Sequence, residues 1–249
     1  MPEFAIYPSL KGRSVFVSGG GSGIGASIVE HLAAQGAKVA FVDINEPASK
    51  QVAAKTGALF LKCDIKDTRA YQAALAEVAA KQGAITVLVN NAAHDERHKL
   101  EDVTPEFWDD RIAVNLRHAF FAIQAVVPGM KKAGGGSIVN FSSISYHTMT
   151  ANLAVYQAAK AATIGMTRGL ARDLGGDNIR LNSITPGWIM TQRQIDKWLT
   201  PEAEADLMKA QVLKEKVYPP DIARMVLFLA ADDSRLISAQ NFVVDGGRM

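Results

Sequence analysis

Residues Ser14–Ala34 read SVFVSGGGSGIGASIVEHLAA: an apolar run, a glycine-rich turn and an Ala-containing helical stretch in direct succession. Val15-Phe-Val17 has the β-branched and aromatic composition of a strand, and Ala26 to Ala34 reads as helix. Glycines between a strand and a helix permit a tight turn, and backbone N–H groups at the helix start receive a pyrophosphate. The next apolar run ends in Asp43 (Ala40-Phe-Val-Asp43), about 20 residues on, where a carboxylate takes the ribose hydroxyls of an adenosine. A merely structural turn is the alternative, and the placement of Asp43 argues against it. A carboxylate at that point repels a 2′-phosphate, and Ser22 in the turn supplies no compensating charge. NAD is therefore preferred, with NADP possible if Lys50 or Arg13 folds close to the site.

Outward from this unit the chain alternates short apolar runs with amphipathic stretches. The runs are Ser14–Val17, Val39–Val42, Leu59–Cys63, Ile85–Val89, Ser137–Phe141, Ile179–Ile184 and Asn241–Val244. Helical patterns fall at about 23–35, 46–56, 68–82, 104–132, 154–174 and 220–231. Repeated βα units with uninterrupted apolar strands predict an α/β fold, a parallel sheet covered on both faces and wound by right-handed crossovers. No linker, repeat or low-complexity tract divides the 249 residues, so residues 1–249 are expected to form one domain.

Composition sets looser bounds. With 48% hydrophobic and 21% charged residues the chain has the balance of an ordinary soluble globule. A net charge of +2, with cations scattered among acids, argues against nucleic-acid or membrane partners. The single cysteine, Cys63, excludes an intrachain disulfide and suits a reducing compartment, and the opening residues lack a secretory pattern. A cytoplasmic location is expected. Five histidines (31, 94, 98, 118, 147) show no ligand spacing, so no metal is expected and each is read as a surface or packing residue.

The chemistry is carried by Phe141–Ala162, FSSISYHTMTANLAVYQAAKAA. Tyr156 and Lys160 stand four apart in an Ala-rich helical segment and so share one face. An ammonium about 4 Å from a phenol is worth ~4 kcal/mol at an effective dielectric of ~20, or roughly three pKa units. A tyrosine so placed exchanges protons near neutral pH. Ser143 closes the apolar run Ser137–Ser143, where its hydroxyl can face what the tyrosine faces. The alternative is that Tyr156 packs, Lys160 is solvated and Ser143 caps a turn.

Taken in order, Gly19-x-x-x-Gly23-x-Gly25, Asn90-Asn-Ala-Ala93, Asn115, Ser143, Tyr156-x-x-x-Lys160 and Pro186-Gly187 resemble the short-chain dehydrogenase/reductase family over nearly the whole chain. The resemblance implies a single doubly wound Rossmann domain with a seven-stranded parallel sheet, usually assembled as a homotetramer. It implies Tyr156 as general acid/base, Lys160 lowering its pKa and holding the nicotinamide ribose, and Ser143 bonding the reacting oxygen. Asn115 would hold a water in a relay to Lys160. For the cofactor it implies Gly19, Ser22, Gly23, Ile24 and Gly25 at the pyrophosphate, Asp43 and Ile44 at the adenosine ribose, and Asp64 and Ile65 at the adenine. Asn91 and Ala92 would lie at the adenosine-side ribose, with Pro186, Ile189 and Thr191 at the carboxamide and phosphates. Two positions depart from the family pattern. Ser18 replaces threonine and keeps the hydroxyl. Ala93 replaces glycine, which costs roughly 1 kcal/mol if its φ is positive and narrows the pocket.

Less standard stretches bear on the substrate. His94–Lys99 forms a polar loop, and residues 192–217 read as a helix, a capped break and a second helix, an insertion that can close over the site. Ser, His, Gln, Arg and Trp suit a polyhydroxylated molecule, since hydroxyls need hydrogen-bond partners and an indole covers a sugar ring. Asp95–Thr104, Asn115–His118, Ser143–His147 and Trp198–Glu204 resemble the bacterial pentose 1-dehydrogenases of the family. That likeness implies oxidation of the anomeric C1 hydroxyl of a pentose, or a related aldose, to a lactone. Ser143, Ser145, His147, Tyr156, Gln157, Trp188, Gln192 and Trp198 would contact the sugar. Competing readings are a 3-oxoacyl or other small-alcohol dehydrogenase, a nucleotide-sugar epimerase and a non-catalytic dinucleotide sensor.

Overall fold

Strand β1 (Ser14–Ser18) is buried at all five positions and lies inside the sheet, third from one edge, in a computed structural model that describes residues 4–249. A strand at this place must be apolar on both faces, because helices cover both. Val15 and Val17 face one core and Phe16 the other. In chain order the structure continues with α1 (Gly23–Ala34), β2 (Lys38–Asp43), α2 (Glu46–Thr56), β3 (Leu59–Lys62), α3 (Thr68–Gln82) and β4 (Val87–Asn90). Then come α4 (Pro105–Ile112), α5 (His118–Lys132), β5 (Gly136–Phe141), α6 (Ala154–Leu174) and β6 (Ile179–Pro186). The chain closes with α7 (Gln192–Trp198), α8 (Pro201–Ala210), α9 (Pro219–Ala230) and β7 (Asn241–Val244).

All strand pairs are parallel, in the order β3-β2-β1-β4-β5-β6-β7. The winding direction reverses between β1 and β4, and the carboxyl ends of these strands open a crevice at that switch point. Ile28, Val29 and Leu32 of α1 and Ile222, Val226 and Leu229 of α9 cover one face. Tyr71, Leu75 and Val78 of α3 and Ile123, Val126 and Met130 of α5 cover the other. Truncating a fully buried strand residue such as Leu88 to alanine costs about 2–5 kcal/mol. No helix among the described residues is long and apolar enough to cross a membrane.

Local chemistry sets the helix starts. Asn45 accepts from Ala48 N at α2, Asp67 from Arg69 N and Ala70 N at α3, and Thr200 from Ala203 N at α8. The capped break expected in the 192–217 segment lies at Leu199-Thr200, between α7 and α8.

Three expectations shift. The run Leu59–Cys63 ends as strand at Lys62, and Ile85 precedes β4 as buried coil, because each end residue packs without a full ladder partner. The single helix expected over 104–132 is interrupted by a π-helical turn at Ala113–Arg117, the kind of bulge that re-aims a side chain. The side chain concerned is Asn115.

Candidate active site

The turn after β1 is closed to any side chain at two points. Gly19 has φ +70°, and a Cβ on Gly25 would stand 1.8 Å from the Gly19 carbonyl oxygen. Ser22 makes no side-chain cap to α1, so the first-turn N–H groups of that helix remain for an anion. Thr191, from the far half of the chain, brings its methyl to 3.2 Å from where a Gly23 Cβ would lie. Its hydroxyl accepts from Gln194 N, capping α7. Gly23, Ile24 and Thr191 therefore share one end of the crevice, with Pro186 ending β6 and Ile189 buried nearby. These groups fit a dinucleotide phosphate.

Asp43 ends β2 with Oδ2 accepting from Gly21 N and Oδ1 from Asn45 N, both at 2.9 Å. Each oxygen keeps a lone pair for a ribose hydroxyl. The two cations that the sequence left open are engaged elsewhere. Lys50 pairs with Glu46 at 2.7 Å, and Arg13, at the opposite end of β1, pairs with Asp232 at 2.9 Å. Ile44 is exposed beside Asp43, whereas Ile65 is buried and Asp64 turns Oδ1 to the N–H of Lys66.

Ser18 accepts from both Asn91 N and Ala92 N at 3.1 Å, which gives the hydroxyl at this position its purpose. The Asn91 amide donates to the carbonyls of Ser18 and Gly19 and so braces the turn. Ala93 is absent from the described residues with positive φ, so the strain considered for its methyl does not arise.

Tyr156 and Lys160 leave α6 on one face, as their spacing predicts. Lys160 Nζ lies 5.7 Å from the Tyr156 ring centroid and donates to the Phe141 carbonyl at 2.9 Å. The phenol is pushed up from its ordinary pKa, by burial first and by Asp95, against the opposing Ser143 hydroxyl and Arg193. Burial thus raises the phenol where the sequence expects Lys160 to lower it. Burial holds Lys160 itself down to about 8. Ser143 lies two residues beyond β5 and also accepts from Ser145 N at 3.2 Å, so it caps a turn as well as facing the phenol.

Asn115 sits in the π turn and clasps the backbone of His94, accepting its N–H at 2.9 Å and donating to its carbonyl at 3.2 Å. A further bond to Arg111 O uses the second amide hydrogen. His118 is buried with Nδ1 unpartnered, and burial, then the charge of Lys160, hold it down to about 3.

The expected sugar-contact residues divide. Ser145 is buried with a hydroxyl that has no partner. Gln157 donates both amide hydrogens, to Ser145 O at 2.9 Å and Thr150 O at 2.7 Å, and so pins the turn that carries Ser145. His147 is exposed against Tyr146, and Gln192 bonds Asp196 on the outside of α7. Trp188 donates Nε1–H to Gln194 Oε1 at 2.9 Å. Trp198 carries the Arg97 guanidinium over its ring at 4.6 Å, so that face is covered by a cation.

Asp95 and Gln194 went unrecognised as site residues in the sequence. Gln194 Nε2 donates to Asp95 Oδ2 at 3.0 Å, and Arg193 pairs with Asp95 Oδ1 at 2.7 Å. No local pattern joins residues 99 positions apart.

The family model described as enoyl-(acyl carrier protein) reductase matches residues 19–248. The chain is 48% identical over 248 residues to D-xylose 1-dehydrogenase of Caulobacter vibrioides, covering 98% of each chain. It is 49% identical over 247 residues to a Rhizobium meliloti protein named "Probable galactose dehydrogenase GalD", covering 97% of this chain and 96% of that one. A solved structure of a short-chain type dehydrogenase/reductase from Mycobacterium ulcerans matches with a TM-score of 0.91 at 28% identity, over 96% of this chain and 90% of that one.

Proposed function

The chain belongs to the short-chain dehydrogenase/reductase family, and we propose that within it the protein is an aldose 1-dehydrogenase, oxidising the anomeric C1 hydroxyl of a pentose or related aldose to the aldonolactone. Dehydrogenases of this family use NAD or NADP. Our reading prefers NAD, because Asp43 stands at the end of β2 with Lys50 and Arg13 engaged elsewhere.

The observation that carries the reading is the grouping of the Tyr156 phenol with Ser143 under a wall whose buried Ser145 hydroxyl has no partner. A buried hydroxyl without a partner costs about 1–3 kcal/mol, and a sugar hydroxyl would relieve it. An acyl chain would leave it unrelieved. The names of the relatives, xylose and galactose dehydrogenase, point the same way.

When bound, the nicotinamide supplies the hydride acceptor. Tyr156 takes the proton of the C1 hydroxyl as hydride leaves the same carbon, and Ser143 holds the reacting oxygen. Lys160 has one N–H on Phe141 O and two more for a ribose hydroxyl and for support of the phenolate. Asn115, by holding His94, fixes the backbone that follows β4. Helices α7 and α8 cover the site as part of the one domain. We further place the enzyme in the cytoplasm as a homotetramer, a reading supported by family habit, the lone buried Cys63 and the exposed Phe120 of α5.

The test is one plate of purified protein with NAD⁺ or NADP⁺ and a panel of aldoses epimeric at C2 and C4, followed at the absorbance of the reduced cofactor. Turnover of at least one aldose, faster with NAD⁺, is expected. Silence on every sugar, with turnover of acyl or simple alcohol substrates, would refute the reading.

A further inference from the structure

The loop after β4 touches the two walls of the site that flank it. Asp95 holds the first turn of α7 through Arg193 and Gln194, and Arg97 lies over Trp198 at the last turn. On the other side, Arg97 donates to Ala151 O at 3.2 Å and His98 N donates to Asn152 O at 2.9 Å. His98 Nε2 accepts from Val155 N in the first turn of α6, one residue before Tyr156. Its Nδ1 lies 3.1 Å from Glu96 O, which assigns the proton to Nδ1. The bonds run from Trp188 through Gln194 to Asp95 without a gap.

We propose that Asp95 is a positioning residue that latches α7 over the site and, through Gln194, fixes the Trp188 indole with its N–H already engaged. The inference rests on the aldose dehydrogenase reading for its substrate. Its consequence is selectivity at one wall: a sugar meeting Trp188 finds a ring surface and no free donor. Hydroxyl recognition then falls to Ser143 and Ser145, and Trp188 reads ring shape.

The latch also couples closure to the proton carrier. Asp95 and Arg193 act on the Tyr156 phenol with opposite sign, Asp95 raising its pKa and Arg193 lowering it. The charged groups around that phenol are Asp95 from the β4 loop, Arg193 from α7 and Lys160 from its own helix. Moving α7 outward removes Arg193 and leaves Asp95 alone to keep the phenol protonated. Closing α7 pairs the two, so that Arg193 offsets part of that effect.

The test compares Asp95→Asn and Arg193→Ala with the parent by hydrogen exchange of the α7 amides, by tryptophan fluorescence and by the pH profile of kcat/KM. Both variants are expected to speed exchange across 192–198 and to raise KM for the aldose roughly tenfold with less change in kcat. The profile should move to lower pH by roughly half a unit in Asp95→Asn and in the opposite direction in Arg193→Ala. Gln194→Ala, which leaves both charges and the Arg193–Asp95 pair, should loosen α7 and change Trp fluorescence, with any shift of the profile in the direction of Arg193→Ala and smaller, and it serves if a charge variant fails to fold. Unchanged α7 exchange in Asp95→Asn and Gln194→Ala overturns the latch, as does a profile that shifts alike in both charge variants. If the parent oxidises no aldose, the substrate reading fails, while exchange and fluorescence still decide the latch.

Discussion

Lys160 donates its ammonium to the carbonyl oxygen of Phe141 at 2.9 Å, across the gap from α6 to the end of β5, and not to the phenol four residues before it. The lysine is 2% exposed, and burial lowers its pKa from 10.5 to about 8. A lysine lowered in this way destabilises the fold wherever it is charged in both states. The penalty is full below pH about 8 and fades as pH rises toward 10.5. Its size follows from the shift, about 3 kcal/mol. Lys160→Met should therefore be more stable than the parent at pH 7 by about 2–3 kcal/mol, with almost no turnover, and the gap should close by pH 10. Urea melts at the two pH values measure it, and a variant less stable at pH 7 contradicts the assignment.

Tyr156→Phe should bind the dinucleotide almost as the parent does and lose roughly 10²–10⁴ of its turnover. Because the phenol is raised above its ordinary value, oxidation by the parent should accelerate as pH climbs from 7 toward 10. Titration of cofactor binding beside steady-state rates gives both numbers. Turnover retained in the phenylalanine variant removes Tyr156 as the proton carrier.

Asp43 combines a charge with two backbone acceptors, and two variants separate them. Asp43→Asn removes the charge alone and should lower the NAD⁺/NADP⁺ ratio of kcat/KM by roughly tenfold. Asp43→Ala also frees the N–H groups of Gly21 and Asn45, so it should relax the preference and weaken both cofactors. A ratio unchanged in the two variants would exclude Asp43 as its determinant.

Ser145→Ala removes a buried hydroxyl that has no partner in the free protein. Stability should hold or rise by about 1 kcal/mol, while KM for the aldose rises roughly tenfold. Thermal melts and steady-state kinetics on one preparation suffice, and an unchanged KM would show that the sugar does not use this hydroxyl.

The sequence by itself determined the parallel, doubly wound sheet, its seven strand segments and most element bounds to within two residues. Helices 46–56, 68–82 and 154–174 match the structure residue for residue, as does strand Asn241–Val244. Those features are set by local causes: side-chain period, turn glycines, capping residues and burial on two faces. The glycine turn, Asp43 and the shared face of Tyr156 and Lys160 were legible for the same reason. Only the tertiary structure decided which partner each polar group takes. Asn115 reaches His94 through a π turn that the helical pattern conceals, and Lys160 prefers Phe141 O to the phenol. Asp95 meets Gln194 and Arg193, and Arg97 covers Trp198, across a gap of about a hundred residues. A hydrogen bond depends on position in space to within a fraction of an ångström, and between distant segments that position exists only once both cores have packed.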